Sequence, residues 1–457
     1  MIEFIPLLMF LVACLVLMSG YPVAFSLGGV ALIFAAVGAS TGVFDASYLQ
    51  AISNRLYGLM GNQTLLAVPL FVFMGGMLQQ SKIAEGLLES MARLFNRLPG
   101  GLGISVAVVG ALLAASTGIV GATVVTMGLI SLPTMLKRGY DPAIATGTIC
   151  ATGTLGQIIP PSIVLVLLGD VLSSAYQQAQ RDMGIFNPET VSVGDLFVGA
   201  IIPGFLLVLF YMVYLWAVAI LNPKRMPRHA EDQAAQQETS GILAELLPPL
   251  TLIIVVLGSI LTGVATPTEA AGVGAAGAIL LAAMKRKLSV AILSEVCSST
   301  LKVTCMVFMI LIGATLFSLV FRAYGGDELI KSLFSHLPGG AASAVLVVML
   351  VIFLLGFILD FIEITFVVVP IVGPVLLAMG VDPVWLGIMI GLNLQTSFLT
   401  PPFGFSLFYL RGVAPATIKT TAIYRGVAPF ILIQIAMMFL VALWPELATW
   451  LPDIIYN

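Results

Sequence analysis

Two stretches of this chain gather oxygen ligands where an apolar helix has to break. The first reads Ala151-Thr152-Gly153-Thr154-Leu155-Gly156-Gln157-Ile158-Ile159-Pro160-Pro161-Ser162. The second sets Asn393, Thr396, Ser397 and Thr400 before Pro401-Pro402. Proline lacks an N–H and clashes with the preceding turn, so carbonyls four residues back lose their partners. Gly153 and Gly156 allow dihedrals closed to other residues. The expected product is a short unwound segment with free carbonyls beside the hydroxyls of Thr152, Thr154 and Ser162. Such an oxygen-only set suits a hard monovalent cation such as Na⁺. Alone, either motif reads as an ordinary proline kink; two copies argue for an ion or substrate site. The first site is completed by a tip around Thr117, Gly118, Gly121 and Thr123, the second by a tip around Asp360 and Thr365.

Asp360 and Glu363 are carboxylates inside an otherwise apolar stretch, where ionisable groups are costly and functional by default. Asp360 reads as a cation ligand or a proton acceptor. Glu363 reads either as functional or as a contact to a neighbouring helix. Arg322 ends a span: it snorkels to the interface or serves as a cation for an acidic substrate. Glu269 follows Thr266-Pro267-Thr268 and is explained by helix capping. His229, in a polar loop, and His336, beside a Pro-Gly-Gly turn, read as solvated. Cys14, Cys150, Cys297 and Cys305 have no metal spacing and read as small buried hydrophobes. There is no nucleophile elbow, phosphate loop, metal cluster or basic stripe, so no site besides Na⁺, no nucleic acid and no ATP-driven step is expected.

The elements that must hold these residues are membrane helices. The chain is 60% hydrophobic and 9% charged, against about 25% charged in soluble domains. Apolar runs predict spans near 4–18, 22–40, 62–80, 142–172, 196–220, 246–263, 268–284, 301–323, 383–410 and 426–450. Stretches 102–136 and 341–379 are too short for two crossings and too long for one. Both are read as re-entrant hairpins, tolerated only where they are buried or line a cavity. Segments 81–97 (Ile83, Leu87, Met91, Leu94) and 324–336 (Leu329, Leu333, Phe334) are amphipathic and read as interfacial arms or plain surface helices. Segment 173–195 reads as an outer polar loop.

The halves repeat. Asp141-Pro142 and Pro160-Pro161 recur as Asp382-Pro383 and Pro401-Pro402, both offset by 241 residues. Related halves, each with a proline-broken span, mark secondary transporters. Basic residues orient them. Lys224, Arg225, Arg228 and Lys285-Arg286-Lys287 belong inside, as do Arg93, Arg97, Lys137, Arg138, Arg411, Lys419 and Arg425. Lys137-Arg138 therefore sits at an inside turn and its cation-free counterpart, 378–383, at an outside turn. The repeats are inverted, and both termini fall outside. The fold class is an all-α polytopic membrane protein with about ten spans and two re-entrant hairpins.

These motifs together resemble the large membrane subunit of the tripartite ATP-independent periplasmic (TRAP) transporters. They include Thr64–Gly75, Leu98-Pro99-Gly100-Gly101, Gly153–Ile163, Thr266–Ala270 and Thr400–Gly404. The resemblance implies an elevator-type, Na⁺-coupled importer in a bacterial inner membrane. It implies a periplasmic binding protein that hands over substrate and a small four-helix membrane subunit. It maps a family aspartate on Asp360 and an arginine on Arg322, with Thr123, Ser162, Arg322 and Asp360 toward substrate. Sialic-acid members carry Ser-Gly-Ser and then Asp in the first hairpin. Thr117-Gly118-Ile119 and Thr123 stand here instead, which argues against sialic acid, while Leu359–Thr365 and Phe398–Arg411 resemble the branch linked with 2-oxo acids, hydroxy acids and related organic anions. The expected division is scaffold 1–101, transport half 102–172, scaffold 173–340, transport half 341–410 and a scaffold helix in 411–457. A stand-alone Na⁺/dicarboxylate symporter and an ion channel are the alternatives. A channel needs a continuous pore, whereas inverted hairpins serve alternating access.

Overall fold

The computed structural model describes residues 2–95, 98–227 and 242–456. Arg97, Arg228 and His229 lie outside these. The helices run α1 Ile5–Met18, α2 Val23–Thr41, α3 Ala51–Met60, α4 Ala67–Gln80, α5 Ile83–Leu94, α6 Gly101–Thr117, α7 Val120–Lys137, α8 Pro142–Thr154, α9 Ile163–Asp182 and α10 Val193–Leu221. They continue as α11 Ile242–Leu261, α12 Pro267–Met284, α13 Val290–Ala323, α14 Gly326–Ser335, α15 Gly340–Leu355, α16 Phe361–Ala378, α17 Pro383–Leu399, α18 Phe405–Val413, α19 Thr420–Leu443 and α20 Glu446–Tyr456. No strand occurs among the described residues.

Both broken spans form as expected: α8 and α9 are separated by Leu155–Ser162, α17 and α18 by Thr400–Gly404. Both hairpins form too. Arms α6 and α7 meet at Gly118-Ile119, and α15 and α16 at Gly356–Asp360. An arm of 17 residues rises about 25 Å, less than the roughly 30 Å hydrocarbon core. Among the described residues, seven helices are long and apolar enough to cross a membrane (α2, α7, α10, α12, α13, α16 and α19), or eight with the bent pair α3/α4; α1, α6, α11, α15 and α17 are shorter apolar helices.

The inverted copies start alike. Asp141 caps α8 by accepting from Ala143 N (2.8 Å), and Asp382 caps α17 by accepting from Trp385 N (2.7 Å). Asp141 also pairs with Arg225 Nε at 2.9 Å, pinning the loop after α10. Burial raises its carboxyl pKa, but this pair and the capping N–H outweigh that and hold it below the ordinary range.

Several boundaries differ from expectation. The polar stretch 173–182 is not loop but the last turns of α9, since Ala175, Ala179 and Gln180 bury; only 183–192 is irregular. Helix α13 begins at Val290, eleven residues before the expected span at 301. The run 426–450 splits at Trp444-Pro445 into α19 and α20. Helix α3 was not anticipated; it meets α4 at a 54° bend. The arms are helical. In α5, Ile83, Leu87 and Met91 bury as expected, joined by Leu88, and only Leu94 faces out. In α14, Phe334 buries as expected but with Gly326 and Ile330, while Leu333 is 44% exposed. Of the cysteines only Cys150 is buried. Cys297 and Cys305 are exposed on α13 rather than buried in a core.

Packing sorts the helices into two groups. Helix α13 lies along α2 and α4, and α4 lies along α12. The hairpins and broken helices pack with each other, with α10, and with α19, which runs along α8. Gly147 and Gly426 meet there: a Cβ on Gly426 would run into the Ala143 carbonyl oxygen. Small residues are what let two membrane helices approach this closely.

Candidate functional site

The first tip sits directly on the first break. Gly118 takes φ +62°, and a Cβ there would meet Ile163, the first residue of α9. Gly156 rests on the Ala114 carbonyl of α6 (3.0 Å to a built Cβ), and Gly153 faces Val124 of α7. The tip is closed by Thr117 and Thr123, whose hydroxyl oxygens are 2.6 Å apart. Thr117 Oγ1 also donates to Leu113 O and Thr123 Oγ1 to Ile119 O. Thr152 donates to Thr148 O (2.8 Å) and packs on Gly110 of α6. Thr154 turns toward α19, where Gln434 Nε2 donates to it at 3.3 Å. Ser162 caps α9 and donates to Gln157 O at 3.0 Å. Thr117, Gly118, Gly121, Thr123, Thr152, Gly153, Gly156 and Ser162 thus gather around one tip and one break.

The second tip is built differently. Asp360 Oδ1 accepts from Phe361 N at 2.7 Å, and a Glu363 carboxylate oxygen accepts from Asp360 N. This reciprocal capping box opens α16, satisfying backbone donors left over at a helix start. A π-helical turn, Ile364–Val368, follows; such turns are frequent at functional sites. Gly356 packs against Ser397 at the second break. No ion pair among the described residues includes Asp360 or Glu363, and no cation is placed against them. Thr365 is fully buried with a hydroxyl that has no partner.

Thr396, Ser397 and Thr400 each donate to a carbonyl of their own helix at 2.7–2.9 Å. Each hydroxyl keeps acceptor capacity. Asn393 is the exception. Its amide donates to Met349 O of α15 at 2.7 Å, and it lines an apolar groove between α15, α17 and α19 with Trp385 and Met438. Its Oδ1 has no partner.

Arg322 does not snorkel. Its Nη1 donates to Gln178 Oε1 of α9 (3.0 Å), its Nη2 donates to Pro370 O of α16 (3.2 Å), and its Nε lies 3.6 Å from Asp327. Lys331 reaches Asp182 of α9 at 3.3 Å. Glu269 forms a capping box with Thr266, as its position implied. His336 Nδ1 bonds Ser332 O within its own helix.

Several residues escaped sequence reasoning. Tyr409 of α18 lies between the tips: its ring packs on Gly121 and it stands within electrostatic reach of Asp360 and Glu363. Gln157, Gln395 and Gln434 are buried, each with unpartnered amide atoms, and Tyr211 is fully buried. A polar side chain such as Gln434, flanked by Ile433 and Ile435, is the signal that would have found them.

The whole chain compares with known proteins. The profile of the family "Tripartite ATP-independent periplasmic transporter, DctM component" matches residues 8–447. Relatives include a C4-dicarboxylate TRAP transporter large permease of Pseudomonas aeruginosa, 29% identical over 90% of this chain and 91% of that protein. A sialic acid TRAP large permease of Vibrio cholerae is 28% identical over 96% of both chains. An ectoine/5-hydroxyectoine TRAP large permease of Ruegeria pomeroyi is 26% identical over 90% and 91%. Among solved structures, the YdaH transporter of Alcanivorax borkumensis superposes with a TM-score of 0.61 at 16% identity, covering 96% of this chain and 98% of that one; it shares the fold. With two hairpins set on two proline-broken helices and a family match over nearly its full length, the chain belongs to the DctM component of the TRAP transporters, a multi-pass membrane permease.

Proposed function

We propose that this permease imports a small organic anion on a Na⁺ gradient, receiving it from a periplasmic binding protein and working with a small four-helix membrane subunit. The observation that carries the reading is the second tip. Two carboxylates lie there in an apolar hairpin with no protein cation among the described residues. Buried carboxylates take up a proton, a counter-charge or a cation; Na⁺ bound by Asp360, Thr365, Thr396, Ser397 and Thr400 is the cation of this reading. A second Na⁺ at Thr117, Gly118, Gly121, Thr152, Gly153, Thr154 and Gly156 uses the matching break. The substrate then lies between the tips, against Tyr409, Thr123 and Ser162, with bound cations offsetting its charge. The C4-dicarboxylate relatives and the hairpin sequence support a hydroxy- or 2-oxo acid.

The tight seam between α8 and α19, and the packing of α10 on α6, α9 and α17, support a wider transport unit than the sequence implied. It contains α6–α10 and α15–α20, sliding against α1, α2, α4 and α11–α13 in an inner membrane with both termini outside.

The test is uptake into proteoliposomes holding this chain and its small partner, with loaded binding protein outside. Uptake should require Na⁺, with a Hill slope above one, and should be slight without the binding protein. Uptake unchanged when K⁺ replaces Na⁺ at constant proton gradient rejects the coupling ion; fast uptake of free substrate by this chain alone rejects the tripartite reading.

A further inference from the structure

Off both tips, a line of buried polar groups ties the two halves together. Thr154 ends α8; its hydroxyl donates to Ala151 O (2.8 Å) and accepts from Gln434 Nε2 (3.3 Å). The same Gln434 nitrogen donates to the Tyr211 hydroxyl at 2.8 Å. The Gln395 side chain stands within electrostatic reach of that hydroxyl, its own amide atoms unbonded. Thr154, Tyr211 and Gln395 are fully buried, and Gln434 is 1% exposed.

The order along this line alternates between halves. Thr154 and Gln395 are separated by the 241-residue repeat offset, so they hold the same place on the two broken helices. Tyr211 lies on α10, which follows the first broken helix, and Gln434 on α19, which follows the second. No half can shift against the other without breaking a link.

Both ends lie on the segments of the proposed ion sites. Thr154 belongs to the first through its backbone, its hydroxyl facing α19, and Gln395 precedes Thr396 of the second. The line also has slack. Gln434 Oε1 has no partner, and neither atom of the Gln395 carboxamide makes a hydrogen bond. A buried amide with an unmade bond carries a penalty that another arrangement relieves. A cation drawing on the Thr154 backbone would shift its hydroxyl and redirect Gln434 and Tyr211, freeing or engaging the unbonded Gln395 amide.

We propose that Tyr211 and Gln434 are positioning residues that couple the two ion sites, so that filling one orders the other. The inference rests on the Na⁺ reading above. Coupling between sites is reciprocal and typically worth about 5- to 150-fold in affinity. Neither residue touches an ion; each acts through Thr154 and Gln395.

The experiment uses the complex with its small partner in proteoliposomes and compares wild type with Tyr211→Phe, Gln434→Leu and the double variant. Tyr211→Phe removes one oxygen and keeps a ring that meets Phe430 edge-on at 5.0 Å. Two curves are read: uptake against Na⁺, and the Na⁺-dependent rise in melting temperature. The expected result is a Hill slope falling to one in each variant, with a half-saturating Na⁺ concentration about ten-fold higher. Na⁺ still stabilises each variant, and the double variant is no worse than either single one. Wild-type slopes in both variants overturn the proposal and leave Na⁺ coupling standing. Variants no longer stabilised by Na⁺ also overturn it, because the residues are then ligands. A wild type without Na⁺ dependence overturns both readings together.

Discussion

Asp360 caps α16 and, under the proposed function, also binds the cation; substitution separates the two. As the cap of α16 its loss costs about 1 kcal/mol, too little to unfold the hairpin. As a cation ligand its loss removes the ion. Asp360→Ala is therefore expected to insert and to melt within a few degrees of wild type while losing uptake; retained uptake would reduce Asp360 to a cap. Glu363→Gln keeps an oxygen to accept from the Asp360 N–H but drops the charge, so a fall in uptake at unchanged stability would assign the charge to ion binding. Gly426→Ala tests packing instead. Its methyl would enter the Ala143 carbonyl, and overpacking typically costs about 1–3 kcal/mol. Reduced melting temperature and expression are expected, with the same outcome for Gly147→Ala.

At the scale of elements, Arg322 joins three helices. From α13 it reaches Gln178 on α9 and Pro370 on α16, and Lys331 adds Asp182 on the same end of α9. Hydrogen bonds to charged groups are worth about 1.5–3 kcal/mol. Arg322→Ala is thus expected to lower thermal stability by roughly that amount and to leave the Na⁺ dependence unchanged. A raised KM at unchanged stability would instead support the substrate-receiving role read from sequence. The arms α5 and α14 show how much of an element is legible. Their helicity and amphipathic character followed from spacing, but which stripe buries depended on what lies beside them. Ile330 and Phe334, rather than Leu333, face the body.

For the whole molecule the question is what moves. Gln79 of α4 donates to Thr126 of α7, across the boundary that the proposed function draws between scaffold helices and the first hairpin. A short thiol crosslinker between Gln79→Cys and Thr126→Cys, with native cysteines replaced by alanine, is expected to stop uptake. Continued uptake in fully crosslinked protein would rule out sliding at this boundary. Movement of a rigid body, as proposed, would keep α8 and α19 together at their glycines and part α4 from α7 at the Gln79–Thr126 contact.

The sequence by itself determined the membrane class, the duplicated and inverted halves, both hairpins and both breaks. These depend on local quantities: twenty-residue apolar runs, prolines that cannot continue a helix, and cations that stay on one side. It also picked out Asp360, because a carboxylate in an apolar run stands out without any neighbour. Tertiary structure alone decided which side chains face the breaks and which face elsewhere. Asn393 turned out to bond α15, Thr154 to face α19 and Arg322 to bind α9 and α16. Tyr409 was brought between the tips from a helix of unremarkable composition, and Tyr211, Gln395 and Gln434 came together from three separate spans. A side chain's partners follow from the rotation and crossing of packed helices, set by steric fit across the whole bundle. No spacing within one segment encodes them.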